Sequence, residues 1–77
     1  MEFEPTPKMI ALRAYRELYE KAYRAYLGNN HFHEAELNAE CRGAAQVVLS
    51  LGASDADIDR IEEITRIVVD TMEKKDA

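Results

Sequence analysis

The chain contains no tryptophan, one cysteine, two prolines and three glycines, and no unbroken apolar run approaches the length of a membrane span. Each scarcity removes a class of protein. A lone Cys41 leaves no internal disulfide and fits a reducing compartment. With so few glycines there is no loop that cradles phosphate. A bilayer-spanning helix needs about 20 apolar residues in a row, and the opening Met1-Glu2-Phe3-Glu4 lacks the basic, apolar start of a signal peptide. The expectation is a soluble, cytoplasmic-type protein with no membrane partner.

What remains is helix-forming. The 77 residues divide into three amphipathic segments, separated only by Gly28-Asn29-Asn30 and Gly52-Ala53-Ser54. Each segment repeats its apolar residues with the helical period, and each break supplies a helix stop followed by a helix start. This predicts an all-α, compact three-helix bundle with short Gly/Asn/Ser turns. It is read as one domain over 1–77, with helices over 7–27, 31–51 and 55–75 and flexible ends at 1–6 and 76–77. A chain of this size buries only about 60% of its unfolded surface, and oligomerisation is a common remedy.

The first helix is predicted to start with Thr6 as N-cap and Pro7 at N1, and to end at Gly28 as a left-handed residue. Its apolar arc spans about 180° at 3.6 residues per turn. Ala11, Ala14, Leu18, Ala22 and Ala25 form one edge, and Leu12, Tyr15, Tyr19, Tyr23 and Tyr26 form the other. Opposite run two alternating-charge chains, Arg13–Glu17–Lys21 and Arg16–Glu20–Arg24, the pattern of a solvated helix face. The second helix, capped by Asn30, carries a small-residue stripe of Leu37, Cys41, Ala44, Val48 and Leu51. Ser54 caps the third, whose expected core face is Ile58, Ile61, Ile64, Thr65, Val68 and Met72.

The net charge is −5, split between +3 over residues 8–27 and −4 over residues 54–77. Such acidity weakens any general attraction to phosphate backbones. Tyrosines beside arginines suggest single-strand stacking, but here they sit on the boundary of the apolar arc, not on the basic face. Gly52, Ile58 and Ile61 match the spacing of a DNA-reading helix-turn-helix. The residues that would enter the groove include Asp55, Asp57, Asp59 and Glu63, the wrong sign for that task. Asp55-x-Asp57-x-Asp59 imitates a calcium loop, yet Arg60 and Arg66 occupy the positions that need glycine and glutamate.

His33, Glu36 and Glu40 project within about 60° of one another on a helix and are the weak candidates for a metal site. His31 points away from them, no Glu-x-x-His signature occurs, and the expectation is no metal and no cofactor. Cys41 falls in an apolar stripe and reads as a small hydrophobe. Glu17 and Glu20 have the spacing of an acidic pair in metal-dependent helical hydrolases, but no matching pair follows at a believable spacing on a bundle interior, and both glutamates already belong to the alternating-charge chains. No enzyme is expected.

The sequence therefore predicts a non-enzymatic protein–protein interaction module. Its first helix carries more apolar arc than one bundle contact needs, so the tyrosine edge, Tyr15, Tyr19 and Tyr23, is expected to meet a second copy of the chain, or another protein. The alternative is an acidic helical antagonist of a basic nucleic-acid-binding protein, acting through the ridge Asp55, Asp59, Glu62, Glu63, Asp70 and Glu73.

Overall fold

The computed structural model describes residues 4–76, the side chains of Lys75 and Asp76 aside; the expected flexibility of positions 1–3 and 77 lies outside that range. Three α-helices follow in order, α1 (Pro7–Leu27), α2 (His31–Ser50) and α3 (Asp55–Asp76). This is the all-α three-helix bundle expected from the pattern, with boundaries within one residue of those read from the sequence.

Local chemistry explains each boundary. Thr6 Oγ1 accepts from the Met9 amide at 3.2 Å, and Pro7 opens α1. Asn30 Oδ1 accepts from the His33 amide at 3.3 Å. Ser54 and Asp57 form a reciprocal pair. The Asp57 amide donates to Ser54 Oγ at 3.2 Å, and the Ser54 amide donates to Asp57 Oδ2 at 3.0 Å. Those Ser54 hydrogen bonds hold the Asp57 carboxyl below its ordinary range.

The two turns differ from each other. At the second, Gly52 sits at φ 103°, with the Ala53 amide reaching back to the Val48 carbonyl at 3.2 Å and the Gly52 amide to Leu49 at 3.1 Å. This is the Schellman stop, and it needs glycine. At the first turn the expected left-handed Gly28 has φ −84° instead, and Asn29 takes the left-handed conformation at φ 59°. The helix runs one residue further before the same motif closes, with the Asn30 amide donating to the Ala25 carbonyl at 3.0 Å. Asparagine is among the few residues that enter that region readily.

Helix α1 is the middle member. It packs closely along α2 and less extensively along α3, whereas α2 and α3 scarcely meet. The radius of gyration is 13.6 Å, against about 11.5 Å for a spherical domain of this length. The molecule measures 41 × 29 × 20 Å, so its thinnest dimension is about two helix diameters. The expected alanine edge does pack inward, since Ala22 and Ala25 are buried against Leu37, Cys41 and Val48, although Ala14 is exposed.

The face of α3 is rotated from expectation. Ile58, Thr65 and Val69 are buried, and Val69 has 0% of its surface exposed. Ile64, Val68 and Met72, all assigned to the core, are exposed. With mainly α1 to pack against, α3 buries a narrow strip, and the rest of its apolar arc has no partner among the described residues. On α2, likewise, Leu51 is exposed at the end of the expected stripe, as is Val47 beside it.

The two glycine turns should respond differently to alanine. Gly52→Ala places a Cβ in open space but at a φ that side chains avoid, so a loss of about 1–2 kcal/mol is expected. Gly28→Ala, at ordinary φ with its nearest neighbour, the Arg24 carbonyl oxygen, at 3.4 Å, should stay within about 0.5 kcal/mol. Urea unfolding of both variants checks the pair.

Candidate functional site

The tyrosine edge of α1 is occupied from within the chain. Four rings stack along the helix, with centroids 6.3 Å apart for Tyr15–Tyr19, 6.5 Å for Tyr19–Tyr23 and 6.1 Å for Tyr23–Tyr26. Three of the hydroxyls meet α3. Tyr15 donates to Glu62, Arg66 donates to the Tyr19 hydroxyl at 2.6 Å, and Tyr23 donates to Asp70 at 2.7 Å. All three pairs are separated by 47 positions in sequence. A constant difference means the two helices run parallel in register, one turn matched to one turn.

Tyr15, Tyr19 and Tyr23, expected to meet a second copy, are set against α3 of the same chain. Tyr15 is only 3% exposed, Tyr19 and Tyr23 are half-buried, and the edge that looked surplus to α1 is its interface with α3. Tyr26 alone projects into solvent. The electrostatics follow the contacts. Burial, then the Glu62 hydrogen bond, pushes the Tyr15 phenol well above its ordinary range, and the Asp70 hydrogen bond raises that of Tyr23. Arg66 is held more firmly protonated by its bond to Tyr19, and its guanidinium lies 6.0 Å from that ring's centroid.

The acidic ridge divides in two. Glu62 and Asp70 serve tyrosines, and Glu73 pairs with Arg24 at 3.4 Å. Asp55, Asp59 and Glu63 remain exposed. Helix α1 also keeps part of its own charge chain, with Glu20 lying 3.9 Å from Arg16 and 3.5 Å from Arg24.

A cleft of about 420 Å³ opens between α2 and α3, floored by Tyr15 and Tyr19 and walled by Arg42, Leu49, Ile58 and Glu62. Cys41 borders it but is buried, and desolvation raises its thiol above the ordinary value. His33, Glu36 and Glu40 are all exposed, and His31 Nδ1 lies 3.5 Å from Glu34. Among the described residues no three His, Cys, Asp or Glu side chains come together in a group able to hold a metal. Of the helix-turn-helix spacing, Gly52 makes the turn, Ile58 is buried in the core and Ile61 packs against it, while the backbones of α2 and α3 lie mostly apart. No described helix is long and apolar enough to cross a membrane.

The surface that sequence reasoning missed is on α3. Ile64, Ile67, Val68 and Met72 are 52%, 58%, 44% and 48% exposed and lie on one side of the helix, with the exposed Thr71 among them. A signal was present, since Glu62, Arg66 and Asp70 repeat every four residues in step with Tyr15, Tyr19 and Tyr23. Matching the two series turns α3 and leaves this arc outside. No protein-family model, no characterised protein and no solved structure matches the chain.

The Tyr15–Glu62 bond has a pH signature. The folded pKa of Tyr15 lies above that of the unfolded chain, so its contribution is complete below the unfolded value of about 10 and is lost as pH rises beyond it. Tyr15→Phe should cost about 1–2 kcal/mol at neutral pH and flatten the decline in stability above pH of about 10. Thermal unfolding at several pH values reads both effects.

Proposed function

We propose that the protein is a non-enzymatic helical protein–protein interaction module that self-associates through the exposed apolar arc of α3. The observation that supports this most directly is Ile64, Ile67, Val68 and Met72, four large apolar side chains about half exposed on one side of one helix. A monomer gains nothing by presenting such a row to water, and contiguous apolar patches commonly mark contact surfaces. The arc lies well away from the tyrosine ladder, three of whose hydroxyls are engaged by α3.

The competing reading, an acidic antagonist that occupies a basic nucleic-acid site, has fewer charges to offer. Three of its six acids bond or pair with α1, Asp70 and Glu73 from exposed positions, so Asp55, Asp59 and Glu63 are the exposed acids of the ridge without such a contact among the described residues.

Light scattering behind size exclusion, over a concentration series, tests the proposal. The parent chain should shift from monomer towards dimer as concentration rises. Val68→Glu should remain monomeric with its helical circular dichroism retained, because the position is exposed within the folded chain. Tyr23→Phe removes only the hydrogen bond to Asp70 and should associate like the parent. The reverse pattern, with Tyr23→Phe defective and Val68→Glu normal, would return the contact to the tyrosine edge.

A further inference from the structure

Deepening the self-association reading and resting on it, we propose that two copies pair through α3 antiparallel, about a two-fold axis at Val68, with Glu63 of each copy facing Lys74 of the other. At 100° per residue, the apolar arc runs from Ile67 through Ile64 and Val68 to Met72, roughly 140° in all. Glu63 and Lys74 border it on the same side, within about 20° of each other, and are separated along the axis by roughly 16 Å. Both are exposed, and neither forms an ion pair among the described residues.

Antiparallel pairing about an axis perpendicular to α3 brings each edge of the arc against the same edge of the second copy. Centred at Val68, the operation places Val68 against itself and Ile64 against Met72. It also brings Glu63 to within about one residue rise, 1.5 Å along the axis, of the level of Lys74 in the second copy. Symmetry makes this pair twice. Arg60, also within the arc, falls at the level of the last turn of the facing helix, which already holds Lys74 and Lys75, so the two ends of the contact bring like charges together and limit its strength.

Parallel pairing does the opposite. It sets level against level, so Glu63 and Lys74 of one copy never approach those of the other, and the charged edge meets the side of α3 that adjoins α1. The single edge carrying one acid and one base at nearly equal distances from Val68 is self-complementary only in the antiparallel sense. A second copy is the one partner certain to carry the matching arrangement. The contact is one helix face, smaller than a standard stable interface, and the dimer is accordingly weak and concentration-dependent.

A charge-swap cycle tests this, read as the dimer dissociation constant from sedimentation equilibrium. Glu63→Lys and Lys74→Glu should each weaken association by about fivefold to thirtyfold, and the double variant should recover to within about threefold of the parent. Mixing the two single variants should also restore association, since a mixed pair sets two lysines of one copy against two glutamates of the other. All three variants change exposed positions and are checked for helicity first. If the parent dimerises but the two effects simply add, the antiparallel register is overturned while self-association stands. If the parent remains monomeric up to roughly 1 mM, both readings fall.

Discussion

Everything in this fold depends on α1 having two usable edges. One is small, so α2 can lie close, with Ala22 and Ala25 buried against Leu37, Cys41 and Val48. The other is built of tyrosines, whose rings span a wider gap and whose hydroxyls need partners at the far side. Helix α3 supplies those partners at the matching period. The chain thus attaches two helices to one without requiring those two to touch.

That arrangement sets the register as well as the distance. Apolar contact between helices tolerates sliding by a turn, but hydrogen bonds do not. Three tyrosine bonds with the same separation of 47 residues hold α3 at one level against α1. A slip by one turn towards the start of α3 would set the buried Tyr15 hydroxyl against Ile58 in place of Glu62 and leave it without a partner there. Tyr15 is the buried anchor of the series, and Tyr23 and Arg24 secure the more exposed end.

The cost of using α1 as the sole platform appears on α3. A helix packed on one neighbour covers a narrow strip, here Ile58, Thr65 and Val69. Thr65 satisfies its hydroxyl on the Ile61 carbonyl at 2.6 Å and so enters the strip without an unpaired polar group. The isoleucines and valine to one side are left facing water. The interaction proposal and the structural economy of the fold are therefore two views of the same constraint.

Helix number, limits and caps were legible in the residues themselves, because Thr6-Pro7, Asn30, Ser54-x-x-Asp57 and Gly52 act through hydrogen bonds and φ preferences within a few positions. The inward packing of the alanine edge was legible too, since small residues at helical spacing serve close approach in any partner geometry. The choice between Gly28 and Asn29 for the left-handed turn was not, as both residues permit it and the helix end decides. Nor was the rotation of α3. Its sequence carries an apolar arc wider than one contact, and periodicity names an arc without naming which part is covered. Only the tertiary structure, by bonding Tyr15, Tyr19 and Tyr23 to Glu62, Arg66 and Asp70, decided that Val69 faces inward and Val68 faces out, because those bonds fix the helix about its own axis.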